Sequence, residues 1–464
     1  MNESILSGLL KTLEPREKKD FLRYLRSPYH ETRPEVVRLG ELLTAPVPAR
    51  ERLSKETAFP LVFGEKRPYD DGRMPKTMEH SLRQLERFLV TEQRRREDFD
   101  FRLRLATLFV ERKQEKLFHR IAALPLPFPP AETDWTAEHF DQAARWHQLL
   151  YNHRSATRRE HDPLLYGRVI HYQTVALLAG RLRSACIFRT NQKEKSVLPV
   201  DPLLAWAVTL AENYAGLPLL KTLFAAFRAL QEPAESAHFT AFRDGLLQHP
   251  QCFSFADRRD LLILAINFCS KRYNDGDNTL LDTQLDLYEH GLREGLLLEN
   301  DWVTGYTFTN IATLALIARR YERLSQLLRD YGPRIAPRDR RDAVAFNEAR
   351  LHHALKRYRP ALVLLQQNAF DDLLLNLSAK TVQAKCFYEL EEYDLLEAHL
   401  EALRKFIRRH SEVGYYGERY LNFISALRRV VKSGPAETVA LREDILSMPV
   451  LAEKEWLLEQ VEGG

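Results

Sequence analysis

The segment ARLHHALKRYRPALVLL, Ala349–Leu365, sets the adjacent histidines His352 and His353 among several basic side chains, the composition expected of an active-site wall. Its spacing says otherwise. Tyr358 is one of three tyrosines, with Tyr321 and Tyr393, that lie 37 and 35 residues apart. Nine residues ahead of each stands an alanine (Ala312, Ala349, Ala384), and seven ahead an apolar residue (Leu314, Leu351, Cys386). Three ahead come Ala318, Leu355 and Leu390; three behind, Leu324, Ala361 and Leu396; seven behind, Leu328, Leu365 and Leu400. The segment is one copy of a repeat, and His352 fills the slot held by Ala315 and Phe387 in its sister copies.

The pattern describes a helix hairpin. A small residue lets two helices approach closely, the tyrosine marks the turn, and the apolar pair four apart packs the second helix back on the first. One hairpin cannot bury its own apolar face, so neighbours must stack.

The repeat resembles the tetratricopeptide repeat, a helix–turn–helix unit of about 34 residues. In FTNIATLA, Phe308, Ile311, Ala312 and Ala315 stand where that family has Trp, Leu, Gly and Tyr. Its second-helix A-x3-F pair is Leu324/Leu328, Ala361/Leu365 and Leu396/Leu400 here. The chain departs from the family in having Ala at every Gly slot, Ala345 and Lys380 at the Trp slot, and Leu at the Phe slot. The resemblance covers residues 303–410, and the opening FLRYLRSPY also looks like the start of an uncharacterised bacterial family with such repeats. It implies a right-handed α-solenoid whose first helices line a concave groove, where Asn and basic slots often clamp a peptide carboxylate. The matching positions are Asn310 and Asn347, Arg350 and Lys385, and His353 and Tyr388. They imply a groove that takes an extended peptide or an acidic tail.

Outward from the repeat the chain continues to read as helix. With 45% hydrophobic and 28% charged residues and only 18 glycines in 464, it has the composition of a folded, helix-rich protein. No run of period-two alternation suggests a strand. LPLPFPP, Leu124–Pro130, cannot continue a helix and is expected to be an extended linker, with a PxxP docking ligand as the alternative. The expected organisation is therefore all-α. An N-terminal helical domain (1–123) and a proline-rich linker (124–133) precede a tetratricopeptide-like α-solenoid (134–464). Asp134 is the expected N-cap of the first helix after the linker.

Charge is uneven. Residues 142–195 carry ten Lys or Arg against three acids, whereas 196–300 carry eight against fourteen. Arg154, Arg158, Arg159, Arg181, Arg183 and Arg189, interleaved with Trp146, Tyr151, Tyr166, Tyr172 and Phe188, suit a nucleic-acid backbone and bases. The competing reading is a solvated basic face neutralised by the acidic stretch that follows it.

No phosphate-binding loop, dinucleotide fingerprint, zinc-protease or nucleophile-elbow motif is present. His139, His147 and His153 are spaced by eight and six, not the four of a helical metal pair. NDGDN, Asn274–Asn278, lacks the spaced acids of a calcium loop and reads as an inter-helical turn. No cofactor or metal is expected. The N-terminal MNESILSGLLKTLEPREKK has too short an apolar run for a signal peptide or anchor, and the four scattered cysteines fit a reducing compartment. The expectation is a cytoplasmic, non-enzymatic scaffold that binds a protein or peptide. A nucleic-acid-binding regulator is the first alternative and an enzyme without a recognisable motif the second.

Overall fold

The computed structural model describes residues 4–45, 54–64, 68–96, 98–190, 202–214, 216–410, 414–433 and 437–462. Among the described residues the regular structure is helical, with 23 α-helices and no strand. None of these helices is long and apolar enough to cross a membrane. The chain forms two compact units, Met1–Pro130 with Glu138–Ala176, and Ala131–Ala137 with Leu177–Gly464.

The first unit opens with α1 (Ile5–Lys11), α2 (Pro15–Arg26), α3 (Pro34–Thr44), α4 (Lys55–Phe63) and α5 (Arg73–Arg96). Helix α2 starts on a capping box, in which the Glu17 carboxylate accepts from the Glu14 amide at 3.1 Å, and it stops before Pro28. Phe21, Leu25, Leu39, Phe59, Met74 and Phe88 share one core. Next come α6 (Asp98–Glu111), α7 (Glu115–Ala122), α8 (Ala137–Arg158) and α9 (Pro163–Thr190), with the division between units falling inside α9. The proline segment is pinned rather than free: Arg102 donates to the carbonyls of Ile121, Leu124 and Pro125, and Leu126 and Phe128 pack on the Phe99–Phe118–Trp146 cluster.

The second unit continues with α10 (Pro202–Ala211), α11 (Pro218–Gln231), α12 (Ser236–Gln248), α13 (Phe255–Asn274) and α14 (Leu281–Arg293). The three repeats follow as α15 (Gly305–Ile317) with α16 (Tyr321–Tyr331), α17 (Pro337–Ala354) with α18 (Tyr358–Gln367), and α19 (Leu373–Glu389) with α20 (Tyr393–Arg409). The unit closes with α21 (Tyr415–Lys432), α22 (Thr438–Ser447) and α23 (Lys454–Glu462). From α15 to α21 each helix packs on the next, and α17 also packs on both α15 and α19. Asp134 does not cap α8. It lies in a short 3-10 turn, and its carboxylate accepts from Gln251 at 3.0 Å.

Each repeat tyrosine is the first residue of its second helix, and the turn before it is built the same way each time. Arg319, Lys356 and Glu391 are left-handed at φ 57°, 58° and 58°. The next amide then reaches back five residues, from Arg320 to Ala315, Arg357 to His352 and Glu392 to Phe387, at 2.8–3.0 Å. This closure satisfies carbonyls that the helix end would otherwise leave unpaired. Two further turns share it. Gly276, in NDGDN, sits at φ 93° with Asp277 donating to Arg272, so that segment is an inter-helical turn. In the first unit Lys113 sits at φ 56° with Gln114 donating to Phe109, between α6 and α7. That hairpin also carries the Ala-Thr-Leu of the first repeat, as Ala106–Leu108, in the same register. Ala106, Ala312, Ala349 and Ala384 are all fully buried, as close helix approach requires.

The exposed turn residues carry a Cβ in a region that suits glycine. Lys356→Gly and Glu391→Gly should each stabilise the chain by about 0.5–1 kcal/mol, the roughly 1–2 kcal/mol left-handed cost less glycine's larger chain entropy. Ala349→Leu should instead destabilise it by about 1–3 kcal/mol through overpacking. Denaturant unfolding of the three variants against the parent checks both signs.

Candidate functional site

The repeat register puts Thr313, Arg350 and Lys385 at one slot, eight residues ahead of the tyrosines on α15, α17 and α19. Because those helices pack in sequence, the slot becomes a polar row. Arg350 donates to the Thr313 hydroxyl at 2.7 Å and to the Asn347 side-chain oxygen at 3.3 Å. Its guanidinium lies 5.3 Å from the centre of the Phe346 ring. Asn347 is wholly enclosed, and its amide donates to Ala343 at 2.8 Å and to Thr309 at 3.1 Å. It therefore acts by holding Arg350, not by facing solvent. Asn310 is half-buried on α15, and no hydrogen bond among the described residues ties it to the others. Of the six expected residues, Asn347 and Arg350 meet directly, and His353, Lys385 and Tyr388 join them through the segment described next.

That segment belongs to the same chain. Glu453, just ahead of α23, accepts from Lys385 at 2.7 Å. Lys385 is buried, and its ammonium also lies 5.2 Å from the centre of the Trp456 ring. Trp456 packs edge-on against Tyr388 at 5.4 Å and donates its indole N–H to Glu389 at 3.0 Å. Glu389 also accepts from the Tyr358 hydroxyl at 3.0 Å.

The electrostatics follow from enclosure. Partial burial would raise the Glu453 carboxyl, but Lys385, reinforced by Arg350, outweighs it and holds the group below the usual carboxylate range. Burial lowers the Arg350 guanidinium, which Glu453 partly offsets, and arginine stays charged nonetheless. Burial, reinforced by Lys385, pushes His353 down to about 3, so its imidazole is neutral at physiological pH. Its Nε2 is buried without a hydrogen-bond partner, as is Nδ1 of His352. The cluster is thus two cations and a neutral ring around one carboxylate. That arrangement of charges can hold an anion.

The basic stretch is arranged differently. Arg154 pairs with Asp162 at 2.5 Å in the first unit, and Arg183 bridges Asp257 and Asp260 at 2.7 and 3.0 Å in the second. Arg189 lies over Phe227, Arg159 is exposed, Arg181 is engaged in further interactions, and the Arg158 side chain lies outside the described residues. A cavity of about 590 Å³ in the first unit is lined by Glu115, His119, His147, His153, Arg154 and Arg168 among others. There His153 meets Glu115 at 3.2 Å and His147 bonds the Ala143 carbonyl at 2.9 Å, while His139, away from the cavity lining, stacks on Phe128. Among the described residues no group of three or more His, Cys, Asp or Glu could hold a metal ion.

Sequence reasoning missed Glu453, Trp456 and Glu389. Glu453 lies 68 residues from Lys385, and neither carries a local motif. No protein-family model, curated protein or solved structure matches the chain.

The His353 shift has a sign that can be checked. Its folded value, about 3, lies below the ordinary 6.5, so the unfolded chain binds the proton better. The stability tied to the neutral ring is complete above pH 6.5 and is lost as pH falls toward 3. Melting temperature should drop between pH 7 and 5, and should drop less steeply in His353→Gln; thermal unfolding across that range tests it.

Proposed function

We propose that the second unit is a right-handed solenoid of tetratricopeptide-like hairpins and that the protein is a non-enzymatic interaction scaffold, working in the cytoplasm. The first helices of the repeats form its concave groove, which binds an acidic segment of a partner protein at Arg350 and Lys385. One observation carries this reading: a carboxylate, that of Glu453, already occupies the cluster, 2.7 Å from the Lys385 ammonium. The identical left-handed turns before Tyr321, Tyr358 and Tyr393 support a common hairpin repeated in register. Packing of α17 against both α15 and α19 supports the lateral stacking that a solenoid needs.

The same geometry favours a protein over a nucleic-acid partner. Arg154 and Arg183 are matched by carboxylates of this chain, which weakens the counterion release that drives binding to a phosphate backbone.

The test is a pull-down with the full chain from native lysate, nuclease-treated and washed at high salt. A retained protein that binds through an acidic segment, and is lost from Lys385→Glu but kept by Arg159→Glu, is the expected result. Recovery of nucleic acid alone, lost from Arg159→Glu and kept by Lys385→Glu, would overturn the scaffold reading.

A further inference from the structure

The C-terminal segment touches α19, the first helix of the third repeat, through side chains at a revealing interval. Glu453, Trp456, Leu457 and Gln460 stand at i, i+3, i+4 and i+7, the anchor spacing of an amphipathic helix laid into a groove. Glu453 meets Lys385, Trp456 meets Tyr388 and Glu389, and Gln460 reaches Glu389 at 3.4 Å. Arg319, in the turn after α15, pairs with Glu459 at 3.4 Å. One nine-residue helix thus packs on α21 and α22 and also reaches α19 and the turn after α15.

Trp456, Leu457 and Val461 also pack into the core shared with α21 and α22, and the polar contact at Glu453 differs from that packing. Glu453 is a non-glycine residue at φ 53°, a conformation that costs energy and is kept only where surrounding contacts hold it. Its side chain is still 39% exposed, so a competing carboxylate can reach Lys385 from solvent. Arg350 has no carboxylate within ion-pair distance among the described residues, and so the occupant leaves one cation of the row unmatched. An acidic incomer could satisfy both. The connector from α22 is held by Asn422, which donates to the Val450 carbonyl at 2.7 Å, by the Ala452 amide, which donates to the Arg419 carbonyl at 3.2 Å, and by Lys454, which donates to the Leu446 and Met448 carbonyls at 2.7 and 3.1 Å.

We propose that Ala452–Glu462 is an internal ligand of the basic row, and that the partner displacing it is a helix of another protein with an acidic residue three positions ahead of a tryptophan. The inference rests on the acidic-segment reading given above and adds the form of the partner and its regulation. The site is closed by its own chain until a helix of the same chemistry, presenting more negative charge to Arg350, takes its place. The chain's own sequence is the template for what the site accepts: acid, two spacers, tryptophan, leucine.

The experiment is hydrogen exchange, read by mass spectrometry, on the intact wild-type chain with and without an isotopically heavy synthetic peptide, VLAEKEWLLEQVE. Alone, the amides of α23 should exchange at least ~100-fold faster than those of α17 and α19, as expected of a segment that opens below the global free energy. Excess peptide should raise α23 exchange further while leaving α17 and α19 unchanged. Peptides with Glu453→Lys or Trp456→Ala should need at least ~10-fold higher concentration, the loss expected of an anchor residue. Protection of α23 equal to that of α17 and α19, insensitive to peptide, would make the segment a structural cap and overturn the proposal. Equal displacement by the Trp456→Ala peptide would overturn the partner chemistry while leaving the acidic-segment reading intact. Equal displacement from a Lys385→Glu chain would show that the reading itself had failed. A stable dimer whose α23 protection rises with chain concentration would assign the site to a second copy and likewise overturn the proposal.

Discussion

Ala312, Ala349 and Ala384 are wholly enclosed where the first helix of each hairpin meets its neighbours, and this close approach governs the arrangement of α15 to α20. A larger side chain there would push the helices apart, and the polar row one position on would be pushed apart with them. Thr313, Arg350 and Lys385 follow each alanine directly, so the spacing that buries the alanines also sets Arg350 within 2.7 Å of Thr313. The left-handed turn ahead of each tyrosine makes the constraint repeatable, because it returns the chain in the same direction with its end carbonyls satisfied.

Burying two cations in that row is costly unless they are paired or hydrogen-bonded. The chain meets the cost with neutral acceptors for Arg350 and with Glu453 for Lys385. His353 contributes by being neutral: a charged imidazole beside Lys385 would add repulsion to desolvation, and burial removes the proton instead. Trp456 completes the enclosure, its ring face toward the Lys385 ammonium and its N–H toward Glu389. The result is a site whose charge is set by one residue from the far end of the chain.

Much of the helical architecture was legible in the sequence. The slots nine and seven residues ahead of Tyr321, Tyr358 and Tyr393 and the slot three behind are all buried, because helical period and hydrophobicity are local properties, whereas the slot three ahead is half-buried or, at Leu355, exposed. Arg350 and Lys385 were legible as neighbours for the same reason. The exposure of the site was not. Asn347 reads as a surface amide but is sealed between Thr309 and Ala343, and Lys385 reads as a solvated lysine but is covered by α23. The α6–α7 hairpin escaped notice because a glutamate, Glu115, stands where its sister units have tyrosine, although Ala106-Thr107-Leu108 repeats Ala312-Thr313-Leu314.

The sequence by itself determined that the chain is helical, where the turns of the three repeats fall, and which small residues permit close packing there, since each depends on side chains a few positions apart. Tertiary structure alone decided that Glu453 and Trp456 lie against Lys385 and Tyr388. It also decided that Arg183 is matched by Asp257 and Asp260. The physical reason is range. Helical period and turn chemistry act over one or two turns of chain, whereas an ion pair has no sequence signature of its own and exists only once packing has brought its two ends together.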